Sequence, residues 1–168
     1  IERSQLFFVH ALNSATKRIW IASPYFVPDE AVIAALQLAA LRGVDVRILL
    51  PNDPDHLGVY LCSFWYIAEL EDVDIHFYRY TSGFMHQKVV LVDDAFATVG
   101  TANFDNRSFR LNFEVGAMVQ DEAFASEVAA MLERDFAQAD IIEAEGLDER
   151  GLWWRLGVQL SRLAAPVL

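Results

Sequence analysis

Along the chain, runs whose apolar residues recur at helical spacing alternate with short runs that are apolar throughout. Residues 5–17 (QLFFVHALNSATK) read as a helix that feeds a short strand, RIWIAS, at 18–23. In PYFVPDE two prolines force an extended loop, because each locks its own φ and pushes its predecessor out of the helical region. The apolar stripe of residues 30–42 (EAVIAALQLAALR) predicts a helix capped by Asp29 and ended by Gly43. Residues 44–51 (VDVRILLP) read as a strand and PNDPDHLG as a turn-rich loop, followed by a helix over 58–71 and a strand over 74–80 (DIHFYRY).

Residues 86–92, HQKVVLV, also read as a strand. Its VVLV part lacks polar alternation, which predicts burial on both faces. A DD turn joins it to a hairpin partner over 95–100 (AFATVG), and a loop ending in Arg107 and Ser108 leads to a strand over 110–119 (RLNFEVGAMV). Residues 122–139 predict a long amphipathic helix. Alternating helices and strands followed by adjacent strands indicate an α/β fold, a mixed β-sheet flanked by helices on both faces. The expected division is a main domain over 1–149 and a tail over 150–168. The tail, GLWWRLGVQLSRLAAPVL, has two Trp, many Leu, Arg155 and Arg162 on one helical face, and no acid. That composition suits a helix lying on an anionic membrane surface; packing the Trp pair against the core is the other reading.

Length and composition narrow the partners. The 168 residues suit one domain with a sizeable core, and 54% hydrophobic content predicts folding rather than disorder. The balance of 13 basic against 24 acidic residues gives −11, which argues against a nucleic-acid partner. An anionic ligand must therefore be held by a local arrangement. The single Cys62 reads as a small core hydrophobe, and the lack of a disulfide framework suits a reducing compartment. No apolar run reaches the roughly 18 residues needed to span a bilayer. Ile1 in place of an initiator Met predicts an excised piece, with a membrane anchor or second domain expected upstream.

His86 and Lys88 are two apart, so on a strand they share a face. Burying a lone Lys is costly, which places the pair at a strand end opening into a polar cleft. Glu114 stands among apolar neighbours in the expected strand over 110–119 and needs pairing or neutralisation. If strand ends gather His86, Lys88, Asn103 and Glu114, the set has a chemistry. Glu114 accepts from one ring nitrogen of His86, leaving the other free as a nucleophile. Lys88 and the Asn103 amide hold phosphate oxygens, and Thr101 adds a hydrogen bond. This is phosphoryl transfer through a covalent histidine step, and it calls for no metal or other cofactor. Asp93 has the opposite parity and reads as structural or as orienting a partner motif. His10 and His76 read as structural, and Arg47 with the acids Glu69, Glu71, Asp72 and Asp74 as solvated surface.

The stretch HQKVVLVD…GTAN fits His-x-Lys-x4-Asp-x6-Gly-Ser/Thr-x-Asn, and on it the chain resembles the phospholipase D superfamily, with Thr101 where Ser is commoner. The segments IASPYFVPDEAVIAALQLAALRGVDVRILLP, GFMHQKVVLVDD, NFDNRSFRLNFEV and LWWRL…LSRL…PVL extend the resemblance to the bacterial cardiolipin synthases. The chain looks like the second of their two motif-bearing halves, which implies a phospholipase D-like fold. The resemblance further implies that one motif histidine becomes phosphorylated while the other protonates the leaving alcohol and deprotonates the incoming one. Two phosphatidylglycerols then yield cardiolipin and glycerol, without metal or nucleotide. By resemblance the catalytic set is His86, Lys88, Asn103 and Glu114, joined by Thr101 and, less directly, Asp93. The loop of Tyr25 and Phe26 then lines either a lipid entrance or the core, and His56 belongs to a substrate channel or a solvated loop. None of His10, His56 and His76 is followed two residues later by Lys, so the second histidine is expected from a missing N-terminal half or a second copy. A lone monomer should be nearly inactive. The implied location is the bacterial inner membrane, peripheral or anchored by a segment outside this chain. The alternatives are a phospholipase or nuclease using water as acceptor, disfavoured as a nuclease by the acidic charge and Trp-rich tail, or a non-catalytic docking fragment.

Overall fold

The computed structural model describes residues 3–53, 55–70, 72–142 and 152–163. Strands β1 (Arg18–Ala22), β3 (Asp45–Pro51) and β4 (Ile75–Tyr80) run parallel at the centre of a seven-stranded sheet. Helices α2 (Glu30–Leu41) and α3 (Leu57–Glu69) make the two crossovers, as parallel neighbours require. Antiparallel strands complete the sheet: β5 (Val89–Val92), β6 (Phe96–Gly100) and β8 (Gly116–Gln120) on one side, β9 (Ala139–Ile142) on the other. The order is β8-β6-β5-β1-β3-β4-β9. The predicted caps of α2 form: Asp29 accepts from the Val32 N–H at 3.0 Å, and Gly43 stops the helix at φ +81°, a conformation that side chains avoid.

Strand parity sorts the core into two layers. Ile19, Ile21, Val46, Ile48, Val90 and Val92 pack beneath α1 (Arg3–Ser14), α2 and α3. Trp20, Leu49, Val89 and Leu91 face the other way, onto Leu132 and Phe136 of α5 (Glu122–Phe136). The apolar VVLV run is thus buried on both sides, as its pattern predicts. Arg47 departs from its expected solvation: it is paired with Asp45 at 2.9 Å and its guanidinium lies 4.9 Å from the Trp20 ring.

Three element boundaries differ from the sequence reading. The expected strand over 110–119 divides into a short helix, α4 (Asn106–Arg110), an irregular stretch and β8. Asp105 is the cause, since its carboxylate accepts the Ser108 N–H at 2.6 Å and starts a helical turn. Before β5 the ladder reaches only as far as the Lys88 carbonyl, which accepts the Gly100 N–H at 3.2 Å, so the strand begins at Val89 rather than at His86. The helix after Asp121 ends at Phe136, and Ala139–Ile142 turn back to pair with β4. A two-stranded parallel ribbon of β2 (Phe26–Val27) and β7 (Phe104–Asp105) is too short to leave a pattern.

Helix α6 (Leu152–Leu163) packs on α3. Trp154 meets Phe64 edge-on at 5.0 Å, and Val158 is buried. Core packing therefore accounts for Trp154, while Leu156, Leu160 and Leu163 remain exposed along a separate stripe. The expected boundary at 149/150, the residue Glu71, and the side chains of Trp153, Arg155 and Arg162 lie outside the described residues. No helix among the described residues is long and apolar enough to cross a membrane.

Candidate active site

The sheet register gathers five chain segments at one rim. Ala22 pairs with Val89, Val89 with Val99, and Gly100 with Gly116. The segments entering β5 and β8 therefore meet those leaving β1, β3 and β6. That rim is the carboxyl end of the parallel strands, where open α/β sheets hold ligands. At the last crossing the backbones come very close: a Cβ on Gly100 would sit 2.6 Å from the Val115 carbonyl oxygen, so only glycine fits.

His86 and Lys88 lie in the extended segment before β5, not in the strand, yet the alternation persists there. Met85 is buried in the α5-side core, and Gln87 donates to Asp135 of α5 at 2.8 Å. His86 and Lys88 take the opposite side. Gln87 is thus the anchor that fixes the segment. His86 is exposed, and the ring of Phe84 stacks on it at 5.6 Å with an interplanar angle of 11°. Lys88 Nζ donates to the His86 carbonyl oxygen at 2.8 Å. Burial pushes the Lys88 ammonium below its ordinary pKa, and the carboxylates of Asp55, Glu114 and Asp105 pull it back up.

Glu114 does not sit in an apolar strand, and its carboxylate does not meet His86. It lies in the irregular stretch before β8, half-buried, while Phe113 beside it is fully exposed. One oxygen accepts from the Thr101 hydroxyl and the other from the Asn112 amide at 3.1 Å. Thr101 is fixed in turn, accepting the Val115 N–H at 3.0 Å. Asn103 is half-buried, and its backbone N–H donates to Ser108 Oγ at 3.1 Å. Its amide meets Asp105, and its Oδ1 is buried without a hydrogen-bond partner. Asp105 is itself 2% exposed; burial pushes its carboxyl up and Glu114 adds to this, against hydrogen bonds from Ser108 and Asn103.

The remaining expectations are corrected or redirected. Asp93 is at the far end of β5 from Lys88, about 16 Å away at some 3.3 Å per residue. Its carboxylate collects the backbone N–H groups of Thr16, Lys17 and Arg18 at 2.8–3.1 Å and the Thr16 hydroxyl at 2.9 Å. It ties the β5–β6 turn to the start of β1, at φ +54°, and takes no place at the rim. Phe26 is wholly buried and stacks on Phe104 at 6.0 Å, so it is core rather than an entrance. Tyr25 reaches the rim, where its hydroxyl donates to Asp55 at 3.0 Å; burial and then that carboxylate push the phenol up to about 12. His56 caps α3, its Nδ1 accepting the Val59 N–H at 3.3 Å. Sequence reasoning missed Asp55, Asp105 and Phe84. Only Asp105 left a signal, an Asp three residues before Ser108 in a helix-starting pattern.

A cavity of about 490 Å³ opens beside Lys88 and Glu114 and extends past Phe7 and Phe8 of α1, β5, β6 and β8. An exposed imidazole, a cation anchored to its backbone and a half-buried amide together supply a nucleophile and donors for an oxyanion.

Residues 8–136 match the family described as cardiolipin synthase, PLD-like domain. The chain is similar to cardiolipin synthase A of Pseudomonas fluorescens (strain SBW25), 54% identical over 167 residues, covering 99% of this chain and 35% of that protein. Cardiolipin synthase A of Pseudomonas aeruginosa (strain LESB58) is 54% identical over 169 residues, covering 99% and 34%. The chain thus spans about a third of the length of these curated relatives. Among solved structures, the phospholipase D family member Nuc from Salmonella typhimurium superposes with a TM-score of 0.71 at 21% identity, covering 83% of this chain and 90% of that one. Phosphatidylserine synthase from Haemophilus influenzae Rd KW20 gives 0.73 at 16% identity, covering 95% and 44%. At these identities the structural likenesses concern the fold.

Proposed function

Because the chain belongs to the cardiolipin synthase, PLD-like domain family, we propose that it is one motif-bearing half of a phosphatidyltransferase that joins two phosphatidylglycerols into cardiolipin. The observation that supports this reading is the exposed His86 with Lys88 pinned to its carbonyl at 2.8 Å, in the His-x-Lys-x4-Asp stretch and within the residues that match the family. One motif histidine attacks the donor phosphorus. A nitrogen–phosphorus bond forms as the bond to the glycerol oxygen breaks, and the companion motif's histidine gives that oxygen its proton. The companion histidine next takes the proton from a hydroxyl of the second phosphatidylglycerol. The resulting oxygen bonds to phosphorus and expels the first histidine, leaving cardiolipin and glycerol.

In this reading Lys88 and Asn103 hold the non-bridging oxygens. Glu114 positions Thr101 and the stretch before β8. The companion is an N-terminal half or a second copy, the working surface is the bacterial inner membrane, and the exposed leucines of α6 face its lipid. The charge of −11 disfavours a nucleic acid as partner.

The test is to mix the chain with a companion half and labelled phosphatidylglycerol, quench in base, and look for acid-labile phosphohistidine and for the lipid product. Label on His86 or on the companion histidine, with cardiolipin formed, is the expected outcome. Phosphatidic acid as the sole product would replace the lipid acceptor with water. No label on either histidine would remove the covalent mechanism.

A further inference from the structure

The cavity beside Lys88 and Glu114 has no part in the proton and phosphoryl transfers above. Its walls are largely apolar, Phe7 and Phe8 of α1 and Phe104 among them, with Arg3 and Ser4 of α1 also in the lining. Val90, Thr98 and Met118 are register partners and form a row across β5, β6 and β8. The first two are 4% and 7% exposed, but Met118 at the end of the row is 58% exposed. We propose that this cavity is an acyl slot: one fatty acyl chain of the phosphatidyl donor lies along the Val90–Thr98–Met118 row while its phosphate sits at Lys88.

The proposal rests on the reading of the rim as a phosphatidyl-transfer site and adds what that site selects. Charge and polarity favour a lipid tail over a protein segment. Two cations, Lys88 and Arg3, among the lining of a largely apolar cavity match an amphiphile whose anionic head is joined through a short glycerol linker to a hydrocarbon chain. Glu114, the acid among the lining residues, is held by Thr101 and Asn112. The volume of about 490 Å³ falls within the roughly 300–1,000 Å³ of small-molecule sites. Met118, at the open end, then sets how much chain is accepted.

The test uses the complete two-motif enzyme with dioleoyl- and dihexanoyl-phosphatidylglycerol as donors, following product by mass spectrometry. Met118→Trp narrows the slot, so the preference for the long donor over the short one falls at least tenfold. Each methylene that loses its contact weakens binding about fourfold. Met118→Ala lengthens the slot and moves the preferred chain length upward. Circular dichroism reports the fold of each variant, and if the Trp variant does not fold, the Ala variant decides alone. An unchanged ratio in a folded Trp variant overturns the slot, as does an unchanged optimum in the Ala variant. If the companion half fills the cavity instead, Met118→Trp weakens association by light scattering and leaves the ratio unaltered, which also overturns it. Where the unsubstituted enzyme forms phosphohistidine from neither donor, the reading of the rim fails and takes the slot with it.

Discussion

Two residues of one motif, five apart, do separate jobs. Lys88 faces the rim, and on the proposed reading it binds the transferring group together with Asn103. Lys88→Ala and Asn103→Ala should each lower transfer by about 10²–10³-fold with the fold intact, as loss of one oxyanion donor typically does; steady-state rates beside a thermal melt check both points. Asp93 works at the other end of the strand. Burial disfavours its charge, but the N–H groups of Lys17, Arg18 and Thr16 outweigh this and hold its carboxyl below the usual carboxylate range. A group with a depressed native pKa stabilises the fold above its unfolded pKa and loses that contribution as the pH falls through the native value. Asp93→Asn keeps a side chain that tolerates φ +54° while removing the charge. It should cost about 1–3 kcal/mol near pH 7 in urea denaturation, with the difference closing on acidification. Parity had set Asp93 apart from His86 and Lys88 in the sequence, and that distinction holds. The expected Glu114–His86 bond is absent, because Asp105 winds α4 and Glu114 lies in the irregular stretch before β8 rather than on the strand where the pairing was expected.

At the scale of elements, legibility followed the strength of local signals. Apolar runs and caps located β1, β3, β5, β6, α2 and α3 within a few residues. What escaped was made by tertiary pairing: β9 forms because β4 offers an edge, and β2 pairs with β7 because Ser23 Oγ accepts the Phe104 N–H at 2.9 Å. In helix α6 the core-packing alternative holds for part of the tail, and an exposed stripe is left over. Trp154 and Val158 pack inward, and Leu156, Leu160 and Leu163 form an exposed stripe at i, i+4 and i+7. If that stripe meets lipid, Leu156→Ser together with Leu160→Ser should lower partitioning onto phosphatidylglycerol vesicles by roughly tenfold. Retention of Trp154 and Val158 should keep the melting temperature close to that of the parent. Unchanged co-sedimentation with vesicles would remove the helix from membrane contact.

For the whole molecule, the α/β class and the sheet covered on both faces were readable from element order alone, but the shape of the rim was not. It is made by seven strands lining up so that loops distant in sequence share one edge. His86, Lys88 and Asn103 arrive there through β5 and β6, and Tyr25 and Asp55 through β1 and β3, two residues that no spacing connects. Among the described residues β8, the last strand of the sheet beyond β6, is paired on one flank only, and Val115 next to it is 73% exposed. Backbone left open in this way recruits whichever strand comes first. If the proposed companion is a different half, identical copies at high concentration would compete with it for this edge. Were the two halves encoded in one polypeptide, a short flexible tether would decide that race by supplying the companion at about millimolar local concentration.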